Sequence, residues 1–265
     1  MITLIQLFVC YFLAGGENYV ASYSYSIQRL NSTPQSYATG RALLVLTEEG
    51  SWFLDEAKYA RDTLQGSSSY QKLNADGKRQ ALLGLQMPQF NFTVFKSAAD
   101  AKVYYSEAIN RHRYTYVETI PQISWQLGSD TARVAGYLCR NAQGEFGGRQ
   151  YTAWFSIDLP WSDGPYKLGG LPGLILHLED KSGQLKFSLI GFEKVTSPPS
   201  LKSKFTSLVT RKEFEARRDH YYMNRQEYRD ANSRRQITVN GKVETMDEFY
   251  AGIKEEYLDR VLWER

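Results

Sequence analysis

The sequence predicts a mainly β protein, α+β in detail: a curved antiparallel sheet in the manner of a half-barrel, followed by a helical C-terminal section. Three observations carry the prediction. The 265 residues include 19 Tyr, 13 Phe and 5 Trp, types that fit the pleated, half-buried surface of a strand. Between residues 104 and 195, strand-like runs are separated by Gly, Pro, Asn and Asp clusters, the texture of an antiparallel meander rather than of alternating strand and helix. After Ser197-Pro198-Pro199 the pattern changes to charged segments with helix-capping signals.

In chain order, residues 1–16 carry no side-chain charge and hold an apolar run, 4–14, broken only by Gln6. The run is shorter than the roughly 20 apolar residues a bilayer span needs. Ala14-Gly15-Gly16 supplies the small residues a signal peptidase reads, so a signal peptide cleaved before Glu17 is expected. Lipid attachment at Cys10 is disfavoured because Leu7-Phe8-Val9 is bulky. The expected product is exported, to the periplasm, the outer envelope or the medium, with no transmembrane segment in the mature chain.

From Tyr19 to Gln28, Tyr19, Ala21, Tyr23, Tyr25 and Ile27 alternate with mostly polar residues, the period of a half-buried strand. Residues 41–47 and Trp52-Phe53 flank Glu48-Glu49-Gly50-Ser51 and read as a hairpin with Gly in the turn. Residues 66–84 have no clean period and read as a variable loop with a short helix. Further strands are expected at 114–120, 123–127, 134–141, 150–157, 174–178 and 185–195. Breaks are expected at 128–130, 144–148, 163–165, 169–173 and 180–183.

In the tail, Thr210-Arg211-Lys212-Glu213 has capping-box spacing, and Phe214, Arg218, Tyr221, Arg225 and Tyr228 share a helical side. Residues 237–243 read as a hairpin about Asn240-Gly241, and a second amphipathic helix is expected from Thr245 to Val261. The expected organisation is a signal peptide (1–16), a β domain (17–200) and a helical extension with a short hairpin (201–265).

Charge excludes one class of partner. Lys+Arg 32 against Asp+Glu 29 leaves +3, too little for a nucleic-acid arm. In the tail, residues 201–242 hold 11 basic and 5 acidic side chains while 243–265 hold 3 and 7, so the two pieces are electrostatically suited to each other. Without the signal, Cys139 is the sole cysteine, which excludes an intramolecular disulfide and a Cys-based metal site. His112, His177 and His220 lack the spacing of a zinc helix, so no metal or cofactor is expected.

Candidate chemistry is sparse. Cys139, His177 and Asp180 or Glu179 supply the parts of a nucleophile, base and orienter, but Cys139 sits in an apolar run with no turn to expose it. Asp158 and Asp163 flank Pro160-Trp161, yet sugar hydrolysis needs a defined carboxylate separation across a cleft. They are read, with Glu145 and Glu179, as surface or turn groups. Trp125 and Trp154 fall in strand patterns and read as core, whereas Trp161, between Pro160 and Ser162, reads as an exposed contact.

The segment 151–180 carries the identity. Gly170-Leu171-Pro172-Gly173-Leu174-Ile175 spells GLPGLI, and with Tyr151, Ala153, Trp154, Asp163-Gly164-Pro165, Gly136-Tyr137-x-Cys139-x-x-Ala142, Pro121 and Trp125 the chain resembles the GLPGLI family of exported bacterial proteins. The resemblance spans residues 20–200, most fully 120–195. It implies export in Gram-negative envelopes, a β-rich body and no assigned activity. A similar module is associated with the N-terminal part of some secreted glycan-releasing amidases, and the run of strands is similar in architecture to half-barrel lipoprotein carriers.

Turn chemistry explains the motif locally: Pro172 fixes φ and Gly173 is expected at φ > 0, as a type II turn requires, with 166–168 a short extended piece between two reversals. A segment so specified can also present groups to a ligand. The binding candidates are therefore Trp161, Asp163, Gly164, Pro165, Tyr166, Gly170, Leu171, Pro172 and Gly173, facing an envelope protein, a glycan or a lipid. Two other classes stay open: a hydrolase or accessory domain of a glycan-active amidase, and a carrier of an apolar molecule in a pocket lined by Ile123, Val134, Leu138, Ile175 and Leu189.

Overall fold

The computed structural model describes residues 17–29, 36–110, 112–196, 207–224, 236–239 and 242–245. The expected signal peptide and the helix beyond Thr245 lie outside them. Eleven strands form one antiparallel sheet: β1 (Asn18–Gln28), β2 (Tyr37–Thr47), β3 (Gly50–Asp55), β4 (Phe92–Ser97), β5 (Lys102–Ile109), β6 (His112–Thr119), β7 (Gln126–Val134), β8 (Tyr137–Phe146), β9 (Arg149–Ser156), β10 (Leu174–Asp180) and β11 (Leu185–Val195). Their spatial order is β6-β5-β4-β3-β2-β1-β11-β10-β9-β8-β7. Two meanders, β1–β6 and β7–β11, are thus joined where β1 pairs with β11.

Chain connectivity curves the sheet. β6 and β7 are consecutive in sequence but occupy opposite edges, joined by residues 120–125. Eleven strands laid flat span about 48 Å, whereas the chain from Thr119 to Gln126 reaches at most about 25 Å. The two edges must approach each other. The result is an open, strongly curved sheet, as the sequence predicts, with its core on the inner face.

β1 confirms the alternation: Ala21, Tyr23, Tyr25 and Ile27 are buried on the inner face with Leu44, Phe53, Phe92, Tyr105, Phe155 and Phe187. The outer face carries a smaller cluster, Val20, Leu43, Val45 and Leu54, packed by Tyr59 of α1 (Glu56–Gly66). Two short helices follow, α2 (Ser68–Gln71) and α3 (Ala75–Leu83).

Several expectations are corrected. The loop expected over 66–84 is largely helical and is preceded by α1, which Asp55 starts by accepting from the Ala57 and Lys58 amides. β4 and β5 are strands that alternation did not single out, because β4 buries nearly every side chain and so shows no alternation. The strand expected over 134–141 is broken: Ala135 (φ 48°) and Gly136 (φ 87°) turn the chain between β7 and β8, and both positive φ values match a two-residue hairpin loop. The break expected at Gly128-Ser129-Asp130 is instead a register shift within β7, a bulge that bends this edge strand. Ile123 lies in the β6–β7 connection.

The tail follows its capping signal. Thr210 caps α4 (Arg211–Met223) in a reciprocal box with Glu213. Before it, Thr115 of β6 accepts from the Val209 amide at 2.9 Å and donates to Ser207 at 3.2 Å, which covers that sheet edge and swings α4 over β5 and β6. Phe214 then inserts, fully buried, with ring centroids 5.4 Å from Tyr105 and 5.1 Å from Tyr116. β12 (Gln236–Val239) pairs with β13 (Lys242–Thr245), the expected hairpin. Among the described residues no helix is long and apolar enough to cross a membrane.

Candidate functional site

The segment between β9 and β10, residues 157–173, folds back onto the inner face of the sheet. Its buried side chains, Leu159, Tyr166, Lys167, Leu168 and Leu171, belong to the core. Backbone bonds tie it at both ends: Leu174 donates to Leu159 at 2.9 Å, Ile175 to Asp163 at 2.9 Å and Gly170 to Ser162 at 3.3 Å. Tyr23 of β1 donates to the Ile175 carbonyl at 2.7 Å, and burial raises its phenol well above the ordinary range.

Two lysines lock this insert. Lys96 of β4 is buried, pairs with Asp163, and donates to the carbonyls of Gly164 (2.9 Å) and Leu168 (3.3 Å). Lys167, in the insert itself, donates to Tyr116 Oη at 2.8 Å and pairs with Glu118 at 2.6 Å. Its ammonium lies 5.0–5.3 Å from the rings of Tyr105, Tyr116 and Tyr166, close enough for cation–π attraction. A buried ammonium is costly unless it is paired and bonded, and both of these are. Trp125, from the β6–β7 connection, donates its indole N–H to Gly169 O at 2.8 Å.

The glycines of the motif act differently from the sequence expectation. Gly173 is not at positive φ, and its amide donates to Leu171 O at 2.8 Å, a three-residue turn centred on Pro172. It is glycine because a Cβ there would lie 2.1 Å from Ser156 O. The positive φ falls instead on Gly170 (88°) and on Tyr166 (58°). Residues 166–168 are likewise not extended: Leu168 donates to Pro165 O at 3.2 Å, closing a turn that drives Tyr166 into the core. Gly164 abuts Ile175, which a Cβ would meet at 2.8 Å.

The nine candidates therefore divide. Gly164, Pro165, Tyr166, Leu171 and Gly173 are buried; Asp163 is half-buried on Lys96; Gly170 and Pro172 reach solvent. Trp161 is half-buried rather than free, its ring 4.7 Å from Tyr19 and 5.2 Å from Phe192, so three aromatics form one partly open platform. Trp125 and Trp154 pack half-buried against the core. Asp163, expected as a surface or turn carboxylate, lies in a turn but is paired with a buried cation. Its partner Lys96, 67 residues away, is the functional neighbour that sequence reading missed, because only the fold brings β4 beneath the insert.

The nucleophile constellation does not assemble. Cys139 on β8 is fully buried, and that burial pushes its thiol up. His177 on β10 is two strands away, about 10 Å between backbones, and its Nδ1 meets Ser188 Oγ at 2.8 Å. Burial and Lys186 hold the imidazole below its usual range. Asp180 instead forms a buried pair with Arg149 at 2.7 Å. Of the five residues of the expected apolar pocket, Ile175 and Leu189 lie in the core and Ile123 and Val134 pack against it, whereas Leu138 is 53 % exposed. Among the described residues no three His, Cys, Asp or Glu side chains are placed to hold a metal.

A second feature lies at the other end of the inner face. Ile109, Asn110, His112 and Tyr114 of the β5–β6 hairpin face Ala216, Arg217, His220 and Tyr221 of α4 across a groove of about 340 Å³. The guanidinium of Arg217 lies 5.2 Å from the Tyr114 ring.

Comparison with known proteins places the insert within a recurring segment. Residues 145–177 match the model of a family described as protein of unknown function (Porph_ging). No curated protein matches the chain. Two solved structures of PNGF-II, in C2 and P21 space groups, are similar at TM-scores of 0.52 and 0.51, each 13 % identical over 76 % of this chain. The chain covers 32 % and 33 % of the PNGF-II chains, about a third of their length. At that identity the likeness concerns the fold: a curved antiparallel sheet that in PNGF-II accompanies twice as much further chain.

Proposed function

We propose that this chain is a non-enzymatic binding protein of the bacterial envelope, of the GLPGLI type, exported by its signal peptide and recognising a protein or glycan partner through the Trp161 surface. The observation that carries this reading is the division within the insert. Asp163, Lys167, Leu159, Tyr166, Leu168 and Leu171 hold it to the sheet, while Ile157, Asp158, Gly170 and Pro172 are exposed and Trp161 is half-buried beside Tyr19 and Phe192. Loops held by a scaffold in this way commonly carry recognition. A half-open aromatic platform of Trp161, Tyr19 and Phe192 offers the large, low-entropy contact that interfaces and sugar-binding surfaces use.

The accessory reading is favoured by size. The resemblance ties such modules to secreted glycan-releasing amidases, and this chain is similar to about a third of PNGF-II. On this reading it serves beside a glycan-active enzyme.

Native mass spectrometry of the protein purified from the producing cell's envelope, with Trp161→Ala alongside, tests the proposal. The wild type is expected to begin at Glu17 and to retain a partner or glycan that the variant, still folded by circular dichroism, loses. An intact Met1, or retention unaffected by Trp161→Ala, contradicts it.

A further inference from the structure

Among the described residues, the groove between α4 and the β5–β6 hairpin is lined by donors and by no acidic side chain. Its eight lining residues include Arg217, His112, His220, Asn110, Tyr114 and Tyr221, with no Asp or Glu. The nearby carboxylates have partners of their own, Asp219 lying 3.7 Å from Arg218 on the same helix. Glu213, one turn before Arg217, accepts from the Thr210 amide and hydroxyl, both at 2.9 Å, and also faces the charge of Arg217. Glu107, opposite Tyr114 in the hairpin, lies deeper, accepts from Tyr105 Oη at 3.0 Å and faces the charge of Arg218.

Helix geometry puts the cationic and aromatic groups on one side. Ala216, Arg217, His220 and Tyr221 recur at i, i+1, i+4 and i+5, one face of α4. Phe214 buries the turn before them and fixes that face over the hairpin. The Arg217 guanidinium lies over the Tyr114 ring at 5.2 Å, a cation–π contact that holds it at the hairpin.

We propose that this groove binds an acidic monosaccharide unit, a uronate or sialate, with its carboxylate on Arg217. Arginine suits a carboxylate because its forked N–H groups match the two oxygens. His112, His220 and Asn110 line the groove beside it as donor side chains for ring hydroxyls and substituents, and Tyr221 adds an apolar wall. The volume is at the small end for ligand sites, which fits one sugar unit. This site is separate from the Trp161 surface and does not depend on it.

Isothermal titration of the full chain with sodium glucuronate, sodium N-acetylneuraminate, glucose and sodium N-acetylalaninate tests the assignment. At least one acidic sugar is expected to bind and glucose is not. Arg217→Gln is expected to weaken that binding about tenfold or more, as loss of a charge-assisted bond does, with Arg217→Lys between the two. Arg217 is exposed, so both variants should melt with the wild type. Binding of neither acidic sugar, binding that survives Arg217→Gln, or tighter binding of glucose or N-acetylalaninate than of the acidic sugars overturns the proposal.

Discussion

The insert between β9 and β10 and the groove beneath α4 use the same kinds of side chain for opposite ends. In the insert, Lys96 and Lys167 are buried, each answered by a carboxylate and by further oxygens, and tyrosines close around Lys167. In the groove, Arg217 and two histidines stand at the surface, Arg217 over the Tyr114 ring, with no carboxylate among the described lining residues. On the proposed reading, the buried cations of the insert hold structure and the groove cation serves recognition. Most of the charged chemistry of the motif-rich segment is therefore spent internally.

The strongest way to break that contrast is to take a cation out of the insert. Lys96→Met leaves Asp163 half-buried and unpaired and strips the donor from two carbonyls. A loss of about 3–5 kcal/mol is expected, a fall in melting temperature of about 10 °C, measured by calorimetry. A shift within 2 °C or so of wild type would show that the pair does not lock the insert.

Next comes Gly173→Ala, whose added methyl lies against the Ser156 carbonyl. It is expected to cost about 1–3 kcal/mol, at the upper end because the neighbour is backbone. Gly136→Ala sharpens the comparison. That residue has φ 87° but open space around its Cβ, so only the conformational cost of about 1 kcal/mol is expected. If Gly136→Ala were the costlier in chemical denaturation, dihedral strain and not close approach would govern these turns.

The smallest effect concerns pH. Burial raises the Glu107 carboxyl, opposed by Arg218 and the Tyr105 hydrogen bond. A carboxyl raised in the folded state gives stability that is full below its unfolded value, 4.5, and is lost as pH rises through the folded value. Glu107→Gln, which keeps an acceptor for Tyr105, should therefore gain on the wild type between pH 4 and pH 7 in denaturant titrations. A constant difference would mean that Glu107 is not desolvated in solution.

Much of the fold was legible in the sequence, and the reasons are local. Tyr23, Tyr25 and Ile27 announce β1 because one face is core and the other mostly polar; Thr210 and Glu213 announce α4 because a capping box lies within four residues. β4 buries both faces, so alternation is silent there. The bulge in β7 hides behind Gly128-Ser129-Asp130, a tripeptide that also makes turns. The site was legible as a place and not as a mechanism. Pro172 and Gly173 mark a tight turn, but the need for glycine comes from Ser156, seventeen positions earlier and adjacent only once β9 and β10 pair. Lys96 meeting Asp163, and Arg217 meeting Tyr114, are juxtapositions made by topology.

Hydrogen–deuterium exchange, read amide by amide in the absence and presence of sodium glucuronate, tests the contrast most directly. The amides of Gly170, Leu174 and Ile175, which bond within the insert, should be protected to the level of the central strands and unchanged by the sugar, while slowed exchange on ligand addition is confined to Asn110, His112, Tyr114 and residues 216–221. Rapid exchange at Gly170, Leu174 and Ile175, or ligand protection that appears in the insert and not at α4, would contradict the account.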